Sequence, residues 1–281
     1  MTGVEGKNVL LTGASSGIGR ALALRLGASG ARVAIAARRE EMLEALAAEI
    51  SAAGGIRPRV LPTDLSRRGA AAELGRVALR SLEGIDVLIN NAGGSVTGLE
   101  WEVADRDEAR GVFEINLWAP LALVGELVPG MRTQGGGTIV NVTSLLQVSP
   151  FPRLGHTAAS KSALALATET LRLESRRDGI TVIEAALGVV DTAASAANRE
   201  LPGGAEWIRR SRPGTAEGAA EAILRAIDRG EPRVIYPRTL KLVYALPGLG
   251  RRFARRMSKI ADRASQPSPA PSQGNGSGAT A

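Results

Sequence analysis

The chain has 281 residues, with 35 lysines and arginines against 28 acidic residues, one histidine and no cysteine. Without cysteine there is no disulfide and no thiolate metal site, and a single histidine argues against zinc, so no metal is expected. The net charge of +7 has one source, because between residues 237 and 263 eight basic residues face Asp262 alone. The remainder is neutral overall, which argues against a nucleic-acid groove.

Met1 to Lys7 run straight into an apolar stretch with no visible signal peptide, and no uninterrupted apolar run is long enough to cross a bilayer. A cytoplasmic protein is expected. A first strand around Val9-Leu10-Leu11 meets a glycine-rich turn and then a helix through Ala21, Leu22, Leu24 and Leu26. Arg32 to Ala36 is a second strand, and Glu40 to Ala52 has helical spacing at Leu43, Leu46 and Ile50. Val60-Leu61 begins a third strand, 70–82 is helical, and Ile85 to Ile89 is a fourth strand. A long helix follows from about Ala109 to Met131, interrupted by Pro120. Strands at 138–142 and 181–185 flank a helix over 158–177, and a helix over 215–229 precedes a last strand at 233–236.

Strands and helices alternate, and the strands are apolar on both faces. That pattern predicts an α/β fold: one doubly wound, Rossmann-like parallel sheet with helices on both faces, over residues 1–236. Residues 237–263 form a basic amphipathic extension. Residues 264–281, rich in Pro, Ser and Gly, form a disordered tail.

In such a sheet a ligand sits at the carboxyl ends of the strands. After the first strand come Gly13, Ser15, Ser16, Gly17, Ile18 and Gly19, a cradle at a helix N-terminus that suits a pyrophosphate. Gly13 permits the tight turn, Gly17 the approach of the phosphates, and Gly19 close packing of helix on strand. The G-x-x-x-G-x-G spacing alone is equally a plain turn. After the second strand stand Ala37, Arg38 and Arg39, where a carboxylate would bind a ribose hydroxyl. A guanidinium suits a 2′-phosphate, so Arg38 points to NADP rather than NAD. Asp64 and Leu65 follow the third strand, to meet an adenine edge, and Asn91, Ala92 and Gly93 follow the fourth.

In order and spacing, Thr12-Gly-Ala-Ser-Ser-Gly-Ile-Gly19, Asp64-Leu65, Asn90-Asn-Ala-Gly93, Ile115-Asn116, Val142-Thr-Ser144 and Ala159-Ser-Lys161 resemble the short-chain dehydrogenase/reductase family. The resemblance implies a Rossmann fold, a nicotinamide cofactor, and a homodimer or homotetramer built on the helices after the fourth and fifth strands. It also implies four catalytic side chains, of which serine maps to Ser144, lysine to Lys161 and asparagine to Asn116. Lys161 would also bind the nicotinamide ribose, and Val190 and Thr192 would touch the nicotinamide amide. The tyrosine position maps to Thr157, and the only tyrosines, Tyr236 and Tyr244, lie far downstream.

An aliphatic hydroxyl does not titrate in the accessible range, so Thr157 is a poor proton donor. His156 is the substitute acid to expect, with the other reading being that neighbouring helical positions point about 100 degrees apart and the imidazole faces away. The function expected is an NADP-dependent oxidoreductase between a carbonyl and an alcohol. A non-redox enzyme, such as a cyclase, isomerase or dehydratase, or an inactive NADP-binding regulatory protein, are the alternatives. Trp207, Leu145 and Leu146 suggest an apolar small-molecule substrate. The segment 240–260 either packs on the protein or a sister subunit, or makes weak contact with an anionic membrane surface.

Overall fold

Every residue of the first strand, β1 (Asn8–Thr12), is buried, because helices cover the sheet on both sides. Val9 and Leu11 point into one apolar layer and Leu10 into the other. The computed structural model describes residues 3–264. The tail expected over 264–281 lies outside the described residues beyond its first, as do the side chains of Met257 and Ile260.

The chain then runs α1 (Gly17–Ala28), β2 (Arg32–Ala37), α2 (Glu40–Ala52), β3 (Arg59–Pro62), α3 (Ala70–Leu82) and β4 (Val87–Asn90). Two short helices, α4 (Glu100–Val103) and α5 (Asp107–Phe113), lead through a wide π turn at Glu114–Trp118 into α6 (Ala119–Thr133). β5 (Gly137–Ser144), α7 (Gly155–Glu174), β6 (Ile180–Leu187), α8 (Ala193–Ala196), α9 (Gly204–Ser211), α10 (Ala216–Arg229) and β7 (Arg233–Tyr236) complete the domain. Beyond it lie α11 (Lys241–Ala245) and α12 (Pro247–Ala264).

The seven strands are parallel in the order β3-β2-β1-β4-β5-β6-β7. The order reverses direction at β1, which opens a crevice between the ends of β1 and β4. Pro62 is tolerated because β3 is an edge strand. A buried chain fixes the register further along: Asn90 Nδ2 donates to Asn141 Oδ1 (2.8 Å), and Asn141 Nδ2 donates to Thr168 Oγ1 (2.9 Å).

Some details differ from expectation. β4 begins at Val87, not Ile85, and α7 begins at Gly155, three residues early. Pro120 does not interrupt its helix. It sits in the first turn of α6, and the π turn stands where proline offers no N–H to the carbonyl of Asn116. The whole run Asp107–Thr133 is long and apolar enough to cross a membrane by length and composition. Here its Leu123, Leu127 and Met131 are buried in the layer covering the sheet.

Candidate active site

A cavity of about 1250 Å3 opens along the carboxyl ends of the strands. Its floor is the glycine loop. Gly13 has φ +70°, and a Cβ on Gly19 would lie 2.0 Å from the Gly13 carbonyl oxygen, so α1 starts hard against the turn. Asn91 clamps that turn, its Nδ2 donating to the carbonyls of Thr12 (3.0 Å) and Gly13 (3.2 Å). The backbone N–H groups of Asn91 and Ala92 both donate to Thr12 Oγ1. Ser15, Ser16, Gly17 and Ile18 line the cavity above.

Arg38 and Arg39 both border this floor, and it is Arg39 that reaches the loop, donating to Ser15 Oγ (3.0 Å) and Ser16 Oγ (3.2 Å). Across from them Asp64 folds back on Ser66, accepting from its backbone (3.0 Å) and its hydroxyl (2.7 Å). The Ser66 hydroxyl and backbone, aided by the Arg38 and Arg67 charges, hold the Asp64 carboxyl below its ordinary value. Leu65, Ala92, Val190 and Thr192 also face the cavity, and Thr192 caps α8.

Deeper in, Ser144 and Thr157 reach the cavity surface. Ser144 Oγ accepts from the Leu146 N–H (3.2 Å), which leaves its own proton free to point elsewhere. Thr157 Oγ1 accepts from the Val96 N–H (3.3 Å) and lies 3.2 Å from Ser95 Oγ. Asn116 and Lys161 stand behind this surface. A side chain at Gly93 would press on both, meeting Asn116 Oδ1 at 3.3 Å and Lys161 Nζ at 3.4 Å.

Asn116, in the π turn and fully buried, accepts from the Gly94 N–H (2.9 Å) and donates to the Gly94 carbonyl and to Ser160 Oγ. Lys161 Nζ donates to the Val142 carbonyl (2.7 Å), and burial pulls its pKa from 10.5 down to about 8.

His156 does not line the cavity. Its Nδ1 abuts the Glu100 carboxylate, and its ring meets Phe113 edge-on at 6.4 Å. One step along α7 turns it about 100 degrees from Thr157, so of its two readings the one facing away holds.

The outer wall is apolar. Leu145, Leu146 and Trp207 all contribute, with Trp207 stacked on Phe151 at 4.5 Å. Leu240, Val243 and Phe253 of the C-terminal segment, absent from the expected site, close the same wall. Glu184 anchors that segment to the sheet. This buried carboxylate accepts from Thr143 Oγ1 (2.9 Å), Gln147 Nε2 (2.9 Å), Arg233 Nε (2.6 Å) and the Tyr244 hydroxyl (2.9 Å). Burial and the Glu184 charge push the Tyr244 phenol up to about 12.

Residues 7–202 match the family model described as short chain dehydrogenase. The chain belongs to that family of oxidoreductases. Nodulation protein G of Rhizobium sp. (strain N33) is 38% identical over 190 residues, 68% of this chain and 76% of that protein. A fatty acyl-CoA reductase of Mycobacterium tuberculosis is 35% identical over 254 residues, 89% of this chain and 83% of that one. An uncharacterized oxidoreductase of Mycobacterium bovis is 36% identical over 192 residues, and the chain spans only 56% of its length. Among solved structures, L-sorbose reductase from Gluconobacter frateurii, complexed with NADPH and L-sorbose, superposes with a TM-score of 0.76 at 25% identity. That match covers 84% of this chain and 97% of the reductase.

The short-chain dehydrogenase match stops at 202, yet Trp207, Leu240, Val243 and Phe253 wall the same cavity as the glycine loop. The family-model match thus takes in the glycine loop, Ser144 and Lys161, and the wall beyond residue 202 lies outside it.

Proposed function

We propose that this chain is an NADP(H)-dependent oxidoreductase acting between the carbonyl and the alcohol of an apolar substrate, with a threonine where the family uses a tyrosine. The observation that carries the cofactor choice is the Arg39 guanidinium lying on Ser15 and Ser16, with Arg38 beside it, at the end of β2. A 2′-phosphate placed there takes charge-assisted bonds that a 2′-hydroxyl cannot use. The residues present fit a nicotinamide dinucleotide, because the cradle at Gly13 and Gly19 has no room for a Cβ. Gly17, Ile18, Asp64, Leu65, Val190 and Thr192 would hold its remaining length. When bound, the cofactor supplies or accepts a hydride at the substrate carbon.

Ser144, with its oxygen already accepting from Leu146, donates its proton to the substrate oxygen and fixes it in place. Lys161 adds positive charge from behind Gly93, and Asn116 holds the Gly93-Gly94 loop against α7. Thr157 does not ionise, so the proton comes through solvent relayed by Ser144 and Thr157. The NADPH in the sorbose reductase and the acyl substrate named for the mycobacterial relative support the reading. Exposed Trp118, Leu166 and Leu173, on the helices after β4 and β5, support self-assembly there.

A second reading is favoured by Thr157 itself, whose hydroxyl is engaged by Ser95 and Val96: an NADP-binding protein without redox turnover. The test is consumption of NADPH against a panel of apolar ketones and aldehydes, beside Thr157→Tyr and Arg39→Ala. We expect wild-type turnover, and a loss of NADPH affinity of roughly 10- to 100-fold in Arg39→Ala with NADH binding unchanged. Turnover in Thr157→Tyr alone establishes the second reading. NADH preferred by the wild type overturns the cofactor assignment.

A further inference from the structure

The segment closing the cavity has two unlike sides. Inward, Val243 and Phe253 line the cavity, Ala254 is buried, Tyr244 is tied to Glu184, and Ser149 Oγ donates to the Gly250 carbonyl (3.2 Å). Outward, Arg251, Arg252, Arg255, Arg256 and Lys259 are all exposed. At 100 degrees per residue these five fall within one stripe of α12 about 140 degrees wide. Lys241 to Lys259 contains no acidic residue. Ahead of the stripe in the chain, Leu242, Leu246 and Leu249 are 61%, 51% and 40% exposed.

We propose that the outer face of α11 and α12 docks on an anionic phospholipid surface. Charge complementarity decides the occupant. Five cations meeting the same five on a second copy would repel across a two-fold interface. An anionic bilayer answers the whole stripe at once, while leucines at an i, i+4 spacing enter the headgroup boundary. The segment is already folded against the domain, so docking does not carry the ordering cost of a disordered tail. The docking stands whether or not the cavity performs a reduction. Given the reading above, it places the apolar wall at Leu240 and Val243 beside the phase in which apolar substrates dissolve.

The test is co-sedimentation of the full chain with vesicles of phosphatidylcholine alone and of phosphatidylcholine with phosphatidylglycerol. Association is expected with the anionic vesicles only, and should weaken at high salt. Each surface arginine near the bilayer is worth about fivefold, so Arg252→Gln, Arg255→Gln and Arg256→Gln together should weaken partitioning by roughly 100-fold. Leu242→Ser with Leu246→Ser should weaken it independently. An unchanged thermal transition and NADPH affinity in these variants shows that the fold is kept. Equal binding to neutral vesicles, no binding to anionic ones at low salt, or an undiminished triple variant overturns the proposal. So does a triple variant whose only change is loss of self-association, which would make the face an interface between copies.

Discussion

Replacing Glu184 by leucine should loosen the C-terminal segment from the sheet and cost about 3 kcal/mol of stability. The carboxylate is 1% exposed and accepts from four donors on β5, the loop after it, β7 and α11. Removing one partner of a buried ion pair costs about 3–5 kcal/mol. The low end applies because Arg233 is 37% exposed and keeps a second carboxylate, Glu169, at 3.0 Å. For a chain of this size, about 3 kcal/mol lowers the melting temperature by roughly 5 °C.

Glu184→Gln keeps the shape and should cost only about 1–2 kcal/mol. Burial alone would raise the Glu184 carboxyl, but bonds from Gln147, Arg233 and Thr143 together hold it below its ordinary value. A depressed carboxyl contributes stability above its unfolded pKa of about 4.3, and that contribution is lost as pH falls through the lower folded value. The gap between wild type and Glu184→Gln should therefore narrow on acidification. Thermal unfolding followed by circular dichroism from about pH 7 to about pH 3 reads both effects. A Glu184→Leu shift of less than about 1 °C, or a glutamine gap that ignores pH, refutes the reasoning.

Gly19→Ala places a methyl 2.0 Å from the backbone oxygen of Gly13, which cannot swing aside as a side chain would. NADPH affinity, read by fluorescence titration, should fall by at least about tenfold, the effect of roughly 1.4 kcal/mol of misplacement; unchanged affinity would remove the cradle from the cofactor site. Lys161 is pulled down to about 8 by burial, so its charge disappears as pH rises through that value. The reduction rate should fall over the same range, and Lys161→Arg, if it folds, should carry the falling limb to higher pH because a guanidinium stays charged. A flat alkaline profile in the wild type would separate Lys161 from the rate.

The parallel sheet was legible because its signal is local and repeated. Strands apolar on both faces, each followed by a helix, allow few arrangements, and a doubly wound parallel sheet is what the chain forms. The glycine loop was legible for the same reason, since Gly13 and Gly19 act within a few residues of each other. Facing was harder. His156 and Thr157 are neighbours in sequence, and only the packing of α7 against Phe113 and Glu100 decides which one turns to the cavity. Arg38 and Arg39 pose the same problem at a strand exit, where no periodicity favours either. The C-terminal wall was illegible because it depends on a distant carboxylate, Glu184, which nothing in the local pattern of 240–260 announces. Helix spacing shows that this segment has two faces. It does not show which of them is already occupied.

The wide turn at Glu114–Trp118 makes helix phase a shared setting for both ends of the site. Upstream of it Asp107, Glu108, Gly111 and Val112 face the cavity, while Asn116 inside it reaches back to Gly94 and Ser160. Trimming one residue from that turn would rotate everything upstream by about 100 degrees relative to α6. The cavity wall at α5 and the brace beneath the loop at Gly93-Gly94 are thus indexed to a single irregular turn, and neither can be re-aimed without the other.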